Sequence, residues 1–193
     1  MYKFFEKLIK PFPAQEPLQP PNTLFAFLLH YTRGCEVYLI ILAVTAALTA
    51  VLEVLLVGFM GELVDWFSLY TPETLLQEKG GAMLLMALVL LVVLPITVFI
   101  HSTVMHQTLL GNYPMTIPWM AHRYLLGPSY AFYQNEFAGR VATKVMQTAL
   151  AVRETVMKLL DVVVYVAVYF GSVIVLVAAL DLRLASPFVV DRK

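Results

Sequence analysis

Between Lys79 and Arg123 the chain carries no Asp, Glu, Lys or Arg. That interval is roughly twice the 20 residues an α-helix needs to cross a bilayer, so the helix it forms must continue past the membrane into water. A second arm mirrors it beyond the polar and aromatic stretch RYLLGPSYAFYQNEFAGRVATK, from Arg123 to Lys144. From Ala138 to Leu180 the last charge is Asp161, and none occurs from Val162 to Leu180. Two arms of about 40 residues reach on the order of 60 Å at 1.5 Å per residue, against about 30 Å of hydrocarbon. The pair reads as a helical hairpin whose tip stands clear of the membrane.

Hydrophobic residues make up 60% of the sequence and charged ones 13%, and the apolar residues lie in uninterrupted runs, so an integral membrane protein is expected. A net charge of zero offers no basic surface to a phosphate backbone, which argues against nucleic acid as a partner. Cys35 is the single cysteine, so an internal disulfide and a cysteine-rich zinc site are both excluded.

In MYKFFEKLIK, Phe4, Phe5, Leu8 and Ile9 alternate with Lys3, Lys7 and Lys10. This suits an interfacial helix on an anionic leaflet, or equally a frayed tail. Pro11, Pro13, Pro17, Pro20 and Pro21 then make an extended linker and stand where a cleaved leader would have its apolar core. Asn22 can cap a short helix, TLFAFLLHYTR, and Gly34 suits the left-handed residue after its end. A first span follows from Val37 to Met60 with Glu53 as its only charge, ending in GELVDWF, where Trp66 and Phe67 form an interfacial anchor. Residues 68–80 are expected as a loop. A second span starts near Gly81, and Pro95 should kink it. Lys3, Lys7, Lys10 and Arg33 precede the first span, and Arg123, Arg140, Lys144, Arg153 and Lys158 surround the tip, whereas the 65–80 loop offers only Lys79. The amino terminus and the tip are therefore expected in the cytoplasm, of a bacterial inner membrane.

Past the tip, Val141, Val145, Thr148, Val152, Val156 and Leu159 recur at steps of four and three, as the apolar face of a water-exposed helix does. Glu154 and Lys158 stand in the favourable i, i+4 order, and Asp161, one turn on, is expected to pair with Lys158.

An acid inside a span is unfavourable unless it meets a cavity, a partner or a proton path. Glu53 is therefore the candidate residue of a translocation path, the alternative being a protonated side chain bonded to a neighbouring helix. His101 and His106 lie about 140° apart on a helix, so they make no paired metal face, and a soft-metal site with Met105 is the weaker reading. No metal or catalytic residues are assigned. Nucleophile elbow, zinc-protease helix and glycine-rich phosphate loop are all missing, so the chain should hydrolyse nothing alone. The tip, with Ser129, Tyr130, Phe132, Tyr133, Gln134, Asn135, Glu136, Phe137 and Gly139, is the candidate partner surface. Ser129 can cap a short helix there, and aromatics held in water need a partner or the arm ends to cover them.

The order of these features resembles the amino-terminal half of the transmembrane domain of ATP-binding cassette (ABC) exporters. The likeness rests on AFYQNEFAGRVATKV, with Phe132, Tyr133, Gly139, Val141 and Lys144, on GELVDW with Gly61 and Asp65, and on DLRLASP from Asp181 to Pro187. An aspartate common in that family after the basic residue is replaced here by Gln147 and Thr148. The resemblance covers nearly all of 22–187 and implies an all-α membrane protein. Three spans at about 37–62, 81–105 and 159–180 have long cytoplasmic extensions, half of a six-helix domain, with an elbow helix at 22–34 and a coupling tip at about 123–140. Residues 1–21 are then a cytoplasmic lead-in and 188–193 a tail that breaks off before span four. It further implies a nucleotide-binding domain docked on the tip, a second membrane half in a homodimer or heterodimer, and ATP with Mg held only by that missing domain. Two other readings stand beside it: a small membrane scaffold or regulatory subunit for a separate ATPase, and a small proton-coupled transporter using Glu53 and Asp161.

Overall fold

The computed structural model describes Ile9, Phe12, Pro13 and residues 19–127 and 138–180. Every regular element among them is helical: α1 (Leu24–Tyr31), α2 (Glu36–Leu69), α3 (Pro72–Leu88), α4 (Leu94–Thr103), α5 (Leu110–Leu125), α6 (Ala138–Lys158) and α7 (Val164–Leu180). Single π-helical segments at Val89–Val93, Val104–Leu109 and Leu159–Val163 join α3 to α4, α4 to α5 and α6 to α7 without breaking the helix. Three helical runs result, Glu36–Leu69, Pro72–Leu125 and Gly139–Ala179, each long and apolar enough to cross a membrane.

Thr23, not Asn22, is the residue before α1, and it makes no side-chain cap. After α1, Gly34 takes φ 88°, the left-handed value expected of it, and turns the chain into α2. The loop expected at 68–80 is almost wholly helical, since α2 persists to Leu69 and α3 begins at Pro72. Pro72 stands in the first turn, where its missing N–H is not needed, and the Thr74 hydroxyl accepts the Thr71 N–H at 3.1 Å. These start signals outweigh Gly80 and Gly81, which a helix tolerates at about 1 kcal/mol each.

Pro95 is accommodated by the π-helical segment just before it, in which the Leu94 N–H reaches back to the Val89 carbonyl. A proline leaves carbonyls of the preceding turn without a donor, and the wider turn relieves the ring's clash with them. The segment at Leu159–Val163 contains no proline. A π turn takes one extra residue, so each one rotates everything beyond it relative to a plain α-helical count.

The chain divides into two compact units, Met1–Leu42 with Ser102–Leu160, and Ala43–His101 with Asp161–Lys193. The first has an ordinary apolar core, in which Leu42, Leu109 and Tyr113 are fully buried and Cys35, Leu39, Ile117, Ala149, Val152 and Val156 pack with them. On α6, Val152 and Val156 are buried as the periodicity requires. Thr148 and Leu159 are exposed instead, and Ala149 and Met157 turn inward. Lys144, Glu154 and Lys158 stay outside, with Lys158 Nζ 3.6 Å from Glu154. Ile9 is buried against this unit, where the Asn112 amide donates to its carbonyl at 3.1 Å. The Trp119 indole and Arg123 both donate to the Pro13 carbonyl, at 3.2 and 3.4 Å, and Phe12 meets Trp119 edge to face. At these three residues the lead-in lies on α5; the rest of MYKFFEKLIK, expected as an interfacial helix or a frayed tail, lies outside the described residues.

In the second unit, buried apolar residues such as Leu52, Val54, Leu75 and Met86 lie outside that core cluster. Leu84, Leu91, Phe99, Phe170 and Val175 are exposed, while Thr45 and Thr97 are buried.

Candidate functional site

In the second unit, polar side chains repeat every fourth residue along each helical run. Thr45, Thr49 and Glu53 do so on α2, Thr97 and His101 on α4, and Asp161, Tyr165 and Tyr169 on the third run. Four-residue spacing stacks side chains on one face of an α-helix, so α2 and α4 each present a polar stripe, and the contacts of Asp161 and Tyr165 place the third run's polar residues against them. The stripes meet. Thr45 Oγ1 lies 3.0 Å from His101 Nδ1, and His101 Nε2 lies 3.3 Å from Asp161 Oδ1. Farther along α2, the Tyr165 hydroxyl donates a short hydrogen bond to Glu53, and its ring stacks on Tyr169 with 5.9 Å between centroids. The Thr49 and Thr97 hydroxyls donate back along their own helices, to the carbonyls of Thr45 and Val93, both at 2.9 Å.

Glu53, the acid picked out from the sequence, thus has a named partner on another helix. An ionised carboxylate and a protonated one both accept from a phenol, so the contact fits either state. Asp161 departs from expectation. It contacts His101, while Lys158 contacts Glu154. The cause is local: Asp161 lies within the π-helical segment Leu159–Val163, so the spacing that would aim it at Lys158 does not apply. His101 was missed as a partner for the same acid because no sequence signal links positions 60 residues apart; the four-residue spacing with Thr97 was the available hint.

Nor does His101 share a site with His106, which is exposed, and Met105 packs toward the core of the first unit. Among the described residues no group of three His, Cys, Asp or Glu could hold a metal ion. His122 lies 6.4 Å from the Trp119 ring. His30 is buried edge-on to Tyr31, and burial first, then Arg33, hold it below the ordinary histidine value. Burial, and secondarily Glu36, push the Cys35 thiol up to about 11, which leaves it protonated and unreactive at neutral pH.

The first unit contains an apolar cavity of about 430 Å³ between α1, α5 and α6, with His30, Tyr124 and Lys144 on its wall. In the second unit a groove of about 530 Å³ separates α2 from α7, with Gly58 and Gly171 on its floor and Glu62 among its lining residues. Of the tip residues, Ser129, Tyr130, Phe132, Tyr133, Gln134, Asn135, Glu136 and Phe137 lie outside the described residues; Gly139 is exposed in the first turn of α6.

No family model matches the chain, and no solved structure matches it. The chain is 44% identical over 189 residues to a protein of Haemophilus influenzae named as an uncharacterized ABC transporter ATP-binding protein. The match takes in 98% of this chain and 31% of that relative, so the chain spans about a third of the relative's length.

Proposed function

We propose that the chain forms the first three spans of an ABC exporter's membrane domain, and that residues 128–137 dock on a nucleotide-binding domain. The observation that carries the reading is the length of the helical runs. Pro72–Leu125 has 54 residues and Gly139–Ala179 has 41, well beyond the 20 or so a bilayer needs, and the two flank the tip. Helices of that length, packed on each other outside the hydrocarbon, act as levers that carry movement at the tip to the membrane. The relative's name supplies the ATP-binding function, which in this reading belongs to the part of the protein outside the matched third. In this reading ATP hydrolysis is left to that other part. The chain works as a homodimer or heterodimer of complete membrane domains, with the amino terminus and the tip in the cytoplasm.

A proton carrier built on Glu53 and Asp161 has less support, because the two acids are engaged by different partners, Tyr165 and His101.

A photo-crosslinking amino acid at Tyr133, introduced in the gene's native setting, tests the assignment in intact membranes. The expected product joins the tip to a segment carrying a GxxxxGK[ST] loop, and its yield changes when ATP is trapped with vanadate. Cross-links to lipid alone, or to a protein without a nucleotide site, would overturn the docking reading.

A further inference from the structure

We propose that Thr45, His101 and Asp161 form a proton-binding latch that ties three membrane spans together. The site needs only the geometry of the second unit, so it stands apart from the exporter reading. Both ring nitrogens of His101 are engaged, Nδ1 by Thr45 at 3.0 Å and Nε2 by Asp161 at 3.3 Å, and each of the three residues comes from a different helical run. That arrangement puts a hydrogen-bonding oxygen at each ring nitrogen.

With the ring neutral, Nε2–H donates to the Asp161 carboxylate and the Thr45 hydroxyl donates to the bare Nδ1. When a hydronium ion delivers a proton to Nδ1, one N–H bond forms, water is left behind and no bond of the protein breaks. The Thr45 hydroxyl rotates and accepts from the new Nδ1–H. What changes is the charge. The neutral ring leaves the Asp161 carboxylate without a counter-charge in a low-dielectric span; the protonated ring makes a neutral ion pair with it. The proton therefore tightens the join between the runs, and its loss loosens it.

The surrounding groups do not provide a substitute. On α2, Thr49 is turned to its own helix and Glu53 accepts from Tyr165; on α4, Thr97 is turned to the Val93 carbonyl. On the third run Asp161 faces His101, while Tyr165 is taken by Glu53 and Tyr169 stacks on it. Glu53 is a second acid two turns along α2 from Thr45, and it shares no hydrogen-bond partner with His101.

The test is the ring-nitrogen NMR titration of the full chain, labelled with ¹⁵N-histidine and held in lipid nanodiscs without nucleotide. His101→Gln identifies the signal among four histidines. Asp161→Asn should weaken proton binding at His101 about tenfold, the loss of a charge-assisted partner. Thr45→Val should weaken it about threefold, while Thr45→Ser, which keeps the hydroxyl, restores it. A merely structural role would lower stability in these variants without moving the midpoint. A His101 signal that does not titrate between pH 5 and 8, or one with the same midpoint in Thr45→Val and Thr45→Ser, would overturn the latch. The threonine pair decides the matter even if Asp161→Asn fails to fold. Because no nucleotide-binding partner is present, failure here leaves the exporter assignment untouched.

Discussion

The two units follow one helical sequence pattern, but the clustered apolar core lies in the first. In the first, Leu42, Leu109, Tyr113 and Ile117 are inside and Lys144, Glu154 and Lys158 are outside, as in a protein packed in water. In the second, Leu91, Phe99, Phe170 and Val175 are outside, while Thr45 and Thr97 are buried and His101 and Asp161 are only 19% and 26% exposed. All three runs pass from one unit to the other, between Leu42 and Ala43, His101 and Ser102, and Leu160 and Asp161. On the membrane reading proposed above, one helical run is folded by two forces. Where water surrounds it, burial of apolar area holds the helices together. Where hydrocarbon surrounds it, apolar contact has no advantage over lipid, and packing and interhelical hydrogen bonds take over.

The sharpest way to break this comparison is to truncate the same residue type in each unit. Leu109 is fully buried and Leu91 is 71% exposed. Leu109→Ala should lower unfolding stability in detergent by about 2–5 kcal/mol, because it removes transfer energy and leaves a cavity. Leu91→Ala should change it by less than about 0.5 kcal/mol. Equal losses, read from denaturant midpoints at constant slope, would mean that Leu91 is covered by protein and that the second unit is not lipid-facing.

A charge sharpens the same comparison from the other side. Arginine at Leu91 should disfavour membrane insertion by about 2.5–3.5 kcal/mol, as expected of a charge near the middle of a span. Arginine at Met146, also apolar and exposed but on α6, should be within about 0.5 kcal/mol of neutral. Glycosylation-tag insertion assays measure the first and thermal unfolding the second. If both sites accept arginine, the second unit lies in water.

The helical runs were legible because a long uncharged interval flanked by charges has few folds open to it, and Gly34 was legible because few residues other than glycine reach φ 88° without strain. Glu53 could be singled out by its isolation among apolar neighbours. The pairings could not. Asp161 was assigned to Lys158 by counting along an α-helix, and the π-helical segment Leu159–Val163, which has no proline or glycine to announce it, invalidates the count. The helix across 68–80 was hidden for a different reason: its polar and glycine-containing sequence looks like a loop, and the competing start signal at Thr71 and Pro72 is short.

The smallest predicted effect tests whether the first unit is packed as well as it is buried. The Tyr113 hydroxyl is fully buried without a hydrogen-bond partner, and burial raises its proton affinity well above that of an ordinary tyrosine. A buried polar group left unpaired opposes folding by about 1–3 kcal/mol, whereas removing it and keeping the ring preserves the packing. Tyr113→Phe should therefore leave stability unchanged or raise it by up to about 1 kcal/mol, measured by denaturant unfolding in detergent. The same truncation of a tyrosine with a partner, Tyr165→Phe in the second unit, deprives Glu53 of its donor and should lower stability instead. A loss on Tyr113→Phe would show that its hydroxyl has found a bound water, and the first unit's core would then be wetter than its apolar lining implies.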